Sequence, residues 1–360
     1  FGYMTEAREY PFPKIRGAVC GESRLLLLVL GLCVGGAQLR LRHDWTSGEV
    51  HSPTAMLIAR HQAQCTEFVY YYQQNNLGMG SDIHTWTQAL CNSMQANASL
   101  LETEKSWVWN DNSFCKNSHA GLGCYFNKHK YCPDSVPFPP SKAYPGDIIK
   151  ANRDLSSCPS LISDDASRQE WRRAAVEYLF SNVSSRLVSE VEAEIVPIFG
   201  GAIPDDLITV HIRWGDKKGE MQLVTQAEYV AAIEAIAQKH SLTPKVFVTT
   251  ESRTAITALN QYISKHKTGW TVYHYAPSVY DDHVHQGKTP SPMKMASETG
   301  GSLGKASLIS LLLAMEARYY VLTSGSNWSR LIDELRRNHI DPLCGNCTHM
   351  VDLREGRIAH

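Results

Sequence analysis

The chain has 360 residues, too many for one small module, and that length favours about two domains. Hydrophobic residues make up 43% and charged residues 20%, which excludes disorder as the main theme. Lys and Arg number 35 against 36 Asp and Glu, so the net charge of -1 argues against nucleic-acid binding by bulk electrostatics and leaves room for a local cationic pocket.

Residues 1–50 are irregular and read as an N-terminal extension. Within it Leu25 to Val34 is an apolar run after Arg24, too short to span a bilayer, which needs about 20 residues. It reads as a signal-peptide core or part of a type II membrane anchor. A buried strand or helix is the competing reading. The folded part is expected to start near His51. Phe68 to Tyr72 reads as a strand, Asn75 to Asp82 as a Gly-rich turn and Ile83 to Met94 as a helix capped by Ser81 or Asp82. Ala98 to Glu102 reads as a strand, which completes a βαβ unit.

From Trp107 to Pro159 Cys, aromatic, Asn, Gly and Pro residues dominate, and the stretch reads as a long irregular insertion. The chain holds ten cysteines, five of them between Cys91 and Cys158. Only Cys344 and Cys347 form a CxxC pair, so disulfides in an oxidising compartment fit better than a four-cysteine metal site. The sequons at Asn97, Asn182, Asn327 and Asn346 agree with that compartment. Ser167 to Glu170 reads as a capping box, with helical period continuing from Trp171 to about Ile195.

The second half alternates. Strands are expected at Leu207–Arg213, Lys245–Thr250, Trp270–Tyr275 and Tyr319–Thr323. Helices are expected at Gln226–His240, Arg253–His266, Leu303–Ala317 and Asn327–Arg337. This alternation predicts a parallel, doubly wound sheet whose site lies at the carboxyl ends of its strands. There sits the densest constellation, His211 to Glu220. Arg213 offers a donor fork suited to phosphate, Lys217 a second cation, and Asp216 and Glu220 carboxylates fit for general-base work. A solvated charged loop is the bland alternative. The second constellation is Thr323 to Arg330, a strand end, hydroxyl-rich turn and helix start of the kind that binds phosphate, or else ordinary capping by Ser326 or Asn327. Asp281, Asp282, His283 and His285 have metal-ligand chemistry, but the polar run into Pro290 and Pro292 reads better as a lid loop.

The His-Ile-Arg strand end with its Asp-Lys turn, the later Thr-Ser-Gly-Ser-Asn element and the upstream Gly-Met-Gly-Ser-Asp-Ile-His turn resemble the α1,6-fucosyltransferase family. That family is related to protein O-fucosyltransferases. The resemblance runs from about His51 to Asp352 and is most specific from Ile208 to Arg330. It implies a GT-B-type α/β fold, with two Rossmann-like domains at 51–195 and 196–360 and the disulfide-rich insertion in the first. It implies inverting transfer of fucose from GDP-fucose to a glycan acceptor, without a metal, in the secretory pathway and in particular the Golgi lumen. It also implies residue roles: Glu220 as base, with Asp216 and Lys217 beside the diphosphate and acceptor. His211, Arg213, Tyr229, Glu251, Ser326, Asn327, Gly78 and Gly80 would bind substrate. Three positions depart from the family: Trp214 replaces a second Arg, Glu251-Ser252 an Asp pair, and Ser310 the Asp that reads the base. An inactive nucleotide- or sugar-binding protein on the same scaffold, or a transferase with a different nucleotide sugar or a protein acceptor, is the alternative that these departures keep open.

Overall fold

The computed structural model describes residues 39–354 apart from 65–68, 75, 103–106, 117–120, 128–142, 150–157, 159, 215–221, 251 and 281–290. The chain divides into Phe1–Gln38 and Leu39–His360, and all described elements belong to the second unit. The Leu25 to Val34 run therefore lies outside the described residues. Among the described residues no helix is long and apolar enough to cross a membrane.

Residues 39–50 already pack on the body, ahead of the expected start near His51. The reason is tertiary. Trp45 is fully buried, and its carbonyl accepts from Val183 N at 2.8 Å. Arg42 N donates to Glu316 Oε2 at 2.8 Å, and Gly48 N to Ser181 O at 2.8 Å. An irregular sequence thus becomes a strap held by the body's side chains and carbonyls. Helix α1 (Pro53–Ala63) follows, capped by Ser52 with Pro53 in its first turn.

The first sheet is parallel, with order β2-β1-β3 from β1 (Val69–Tyr72), β2 (Ser99–Glu102) and β3 (Ala143–Ile149). Helix α2 (Met79–Gln95) joins β1 to β2. Its N-cap is Gly78, where Ser81 or Asp82 was expected. Asp82 instead folds its carboxylate back onto Leu77 N at 3.0 and 3.1 Å. β3 also corrects the reading of 107–159 as wholly irregular.

Next come α3 (Asp165–Phe180), α4 (Ser185–Ala193) and α5 (Ile195–Phe199), where one continuous helical period was expected. The break falls at residues 181–184 because their backbone is used elsewhere: Val183 N donates to Trp45 O and Ser184 N to Tyr125 O, while the Ser184 hydroxyl caps α4 at Leu187 N. The capping box also moves. Asp164 and Ser167 cap each other's backbone, while Glu170 accepts from Thr54 Oγ1 at 2.8 Å.

The second sheet is parallel with order β6-β5-β4-β7-β8, from β4 (Leu207–His211), β5 (Lys245–Thr249), β6 (Thr271–His274), β7 (Tyr319–Leu322) and β8 (His349–Asp352). Its helices are α6 (Gln226–His240), α7 (Arg253–His266), α8 (Pro292–Glu298), α9 (Ser302–Ala314), α10 (Asn327–Leu335) and the short α11 (Asp341–Cys344). A π-helical turn, Arg336–Ile340, separates the last two. β4 is buried along its whole length, as a strand covered on both faces must be. Thr225 and Glu228 form the capping box that starts α6.

One buried cluster joins Ile83 and Tyr178 to Phe247 and Tyr320, so the core is continuous across residue 195. A second cluster packs β4 and β5 under α6 and α7, through residues such as Val210, Val248, Ile233 and Leu259. Disulfides join Cys91 to Cys158, Cys115 to Cys124 and Cys344 to Cys347. The segment around Trp109 lies directly on the start of α9. Asn112 N donates to Gly300 O at 3.0 Å, and a Cβ on Gly304 would fall 1.9 Å from Trp109 O.

Candidate functional site

The second sheet reverses its winding between β4 and β7. From β4 the chain runs outward through β5 and β6, then returns to place β7 on the other side of β4. Such a switch point opens a crevice beyond the carboxyl ends of the two strands. His211 ends β4, and Thr323 follows β7.

A single hydroxyl ties the two ends together. Ser329 Oγ accepts from Thr323 N at 3.1 Å and lies 2.6 Å from His211 Nδ1. Burial, and then the charge of Arg213, lower the pKa of His211 to about 3, so the imidazole is neutral at pH 7. Nε2 of the same ring is buried without a partner. A buried polar nitrogen left unpaired costs free energy that a hydrogen bond from or to a ligand would recover. Tyr229 supports this arrangement from behind: its hydroxyl donates to His211 O at 3.2 Å, and burial raises its pKa. Its place is therefore structural, beneath the strand end.

Arg213 is half-buried, two residues beyond β4, and Nη1 donates to Trp214 O at 2.8 Å. The indole of Trp214 in turn donates to Val224 O at 2.9 Å, which holds Trp214 against the entry to α6. Ser326 is the N-cap of α10, buried, and its side chain makes no capping hydrogen bond. The first-turn N–H groups of α10 thus open the helix without the usual side-chain acceptor.

Asn327 is engaged by its neighbours. Its Nδ2 donates to Ser81 Oγ, and its Oδ1 lies 3.2 Å from His84 Nδ1 and accepts from Arg330 Nη2. Gly80 sits against the same turn: a Cβ there would lie 3.2 Å from the carbonyl carbon of Asn327 and 3.3 Å from Trp328 N. Gly80 therefore serves the close approach of α2 to α10, while Gly78 is the exposed N-cap of α2. The loop before α2 is braced by Asp82, which also accepts from Trp107 Nε1 at 2.7 Å, and by Trp109 Nε1, which donates to Leu77 O at 2.9 Å. Burial raises the Asp82 pKa to about 6 against the pull of those donors.

Of the expected site residues, His211, Tyr229, Asn327 and Gly80 thus belong to one chain of contacts, with Ser326 and Arg213 beside it. Asp216, Lys217, Glu220 and Glu251 lie outside the described residues, as do Asp281, Asp282, His283 and His285. Ser310 Oγ is 2.9 Å from Thr249 Oγ1, and both are buried at the end of β5. Lys305 is committed elsewhere, 3.1 Å from Glu190 and 3.8 Å from Asp111. Residues that sequence reasoning did not single out are Ser329, His84 and Asp82. Their signal was only their place inside the two quoted motifs. Among the described residues, Asp341, Cys344 and Cys347 bring three metal-type ligand atoms together, but the sulfurs are bonded to each other and Asp341 Oδ1 accepts from Thr348 Oγ1 at 2.7 Å.

No family model matches the chain, and no curated protein matches it. Among solved structures it is similar to POFUT1 in complex with GDP, with 11% identity, a TM-score of 0.43, and coverage of 80% of this chain and 99% of that one. A likeness this distant decides nothing about the chemistry, which is left to the residues themselves.

Proposed function

We propose that the chain is a glycosyltransferase of GT-B type that takes fucose from GDP-fucose and passes it to a glycan acceptor, by inversion and without a metal. The observation that carries this reading is the His211–Ser329–Thr323 clasp at the switch point. It leaves one ring nitrogen of a neutral imidazole unpartnered at the strand end, and with the Arg213 fork two residues on and the start of α10 after β7 this supports a diphosphate site that offers hydrogen-bond donors and positive charge. Glu220 as base, with Asp216 and Lys217 at the diphosphate and acceptor, follow from the sequence resemblance, as does a working place in the Golgi lumen.

GDP is expected to raise the thermal midpoint of the full chain. Arg213→Lys, which keeps the charge and removes the fork, should weaken GDP at least about tenfold while the unfolding transition stays cooperative. Unchanged GDP affinity in folded Arg213→Lys would remove this assignment. The second reading, nucleotide binding without turnover, has its own support: Asn327 is spent on Ser81 and His84, and the Ser310 hydroxyl on Thr249. GDP binding with no fucose transfer to any glycan acceptor would favour it.

A further inference from the structure

Helix α10 also packs on α3, and positive charge is in excess at that contact. Arg168 and Arg172 lie one turn apart on α3, and Arg330 comes from α10. Glu334 is the carboxylate whose charge both Arg172 and Arg330 feel, and its Oε2 already lies 2.8 Å from His84 Nε2. Among the described residues the Arg172 guanidinium has no hydrogen-bond partner. Arg330 reaches Asn327 with one nitrogen, while its Nε is buried and unpartnered. Arg168 meets Asp165 at 3.3 Å, and its Nε is likewise buried and unpartnered. Burial lowers the pKa of Arg172 and of Arg330, and the repulsion of a neighbouring arginine adds to it in each.

Arginine stays charged in proteins. Cations partly withdrawn from water and short of acceptors are costly unless an anion joins them. Here two guanidiniums share one carboxylate that also serves a histidine, and the unpaired nitrogens on α3 and α10 are all donors. We propose that Arg168, Arg172 and Arg330 form a second anion site, for a phosphate- or sulfate-type oxyanion, distinct from the crevice at His211 and Arg213. Such an anion supplies both the missing negative charge and several acceptors in the geometry that guanidinium forks prefer. The proposal does not depend on the chain being a fucosyltransferase.

The test uses the full chain and sodium phosphate, against sodium chloride at matched ionic strength, read by thermal midpoint and calorimetric titration. Phosphate should raise the midpoint saturably beyond chloride. Arg172→Met keeps the apolar stem and removes the guanidinium, so it should weaken phosphate at least tenfold without lowering the midpoint in chloride. Arg330→Met, and Arg168→Met if either of the others fails to fold, should do the same. Arg213→Lys should keep the phosphate effect. A hexose 6-phosphate separates the sources: tighter binding than inorganic phosphate means a group carried on a substrate, and equal binding means a free anion. No excess of phosphate over chloride overturns the site. So does retention of the effect in the folded methionine variants, or its loss in Arg213→Lys.

Discussion

A missing side chain is what allows α2 and α10 to meet at Gly80. A methyl group there would press on the backbone of Asn327 and Trp328 at 3.2 and 3.3 Å, so one helix would have to shift by a few tenths of an ångström. Gly80→Ala is therefore expected to cost about 1–3 kcal/mol. Gly304→Ala is expected to cost about 4 kcal/mol or more, because its Cβ would overlap a backbone oxygen that cannot rotate away. Urea midpoints would check both, and equal costs would contradict the geometry. The same contact decides the Asn327 sequon. A glycan there would replace the amide's bond to Ser81 and part α2 from α10. Glycopeptide mapping of folded chain from a secretory host is expected to find Asn327 bare. Asn97 and Asn346 are the exposed candidates, each in a left-handed conformation at φ 52° and 60°. An occupied Asn327 in folded protein would break this account of the helix contact.

Among elements, the disulfides differ in what they close. Cys91–Cys158 spans 67 residues and ties α2 to Cys158, ahead of α3, while Cys344–Cys347 spans 3. Loop entropy then predicts a loss of about 4 kcal/mol when the first is replaced by serines and about 2 kcal/mol for the last. The order should appear in thermal midpoints of the two double-serine variants, and a reversed order would show that the segment between Cys91 and Cys158 is held mainly by its packing. That packing is substantial. Asn110 Oδ1 accepts from Trp107 N and Gly121 N, at 3.0 and 2.9 Å. Tyr125 donates to Trp109 O at 2.7 Å, and Arg186 holds Phe114 O. The cysteines of this segment stood out in the sequence. Nothing local announced that Trp109 would settle on Gly304, some two hundred residues away.

For the molecule as a whole, buried titratable groups set the pH response. The N-terminal strap stacks Trp45 on His339, ring centroids 4.3 Å apart, with His43 edge-on to the indole. Burial lowers His43 to about 4, His339 to about 3 and His211 to about 3. Folding favours their neutral forms, so the stability they contribute is full above their ordinary 6.5 and lost as pH falls toward their folded values. Burial raises Glu316 from 4.5 to about 7 and Asp82 from 3.8 to about 6. Folding favours their protonated forms, and that contribution is lost as pH rises through those values. Below 6.5 the lowered histidines, with His61, His274 and His349 shifted the same way, outweigh the raised carboxyls, so stability rises with pH. Above 6.5 the histidines are neutral in both states and Glu316 makes stability decline. The thermal midpoint should therefore peak near pH 6.5, and Glu316→Gln should remove the decline up to pH 7. A maximum well above pH 7.5 would show that other groups dominate.

Some of this was written locally in the chain. The strand at Leu207–His211, the helix from Gln226 with its Thr225–Glu228 box and the alternation through β7 rest on periodicity and capping, which act within a few residues. Parallel winding followed, and with it the edge of the sheet where His211 and Arg213 had to lie. What adjacency in sequence could not carry was decided by tertiary contact. The break between α3 and α4 depends on Trp45 claiming Val183 N, and the docking of residues 39–50 on Glu316 claiming Arg42. Asn327 and Gly80 read as ligand groups from their motifs, yet they are held by each other, because two helices distant in sequence meet where those motifs sit. A side chain's chemistry is legible from its type, but its partner, and so its task, is known only once the chain has closed.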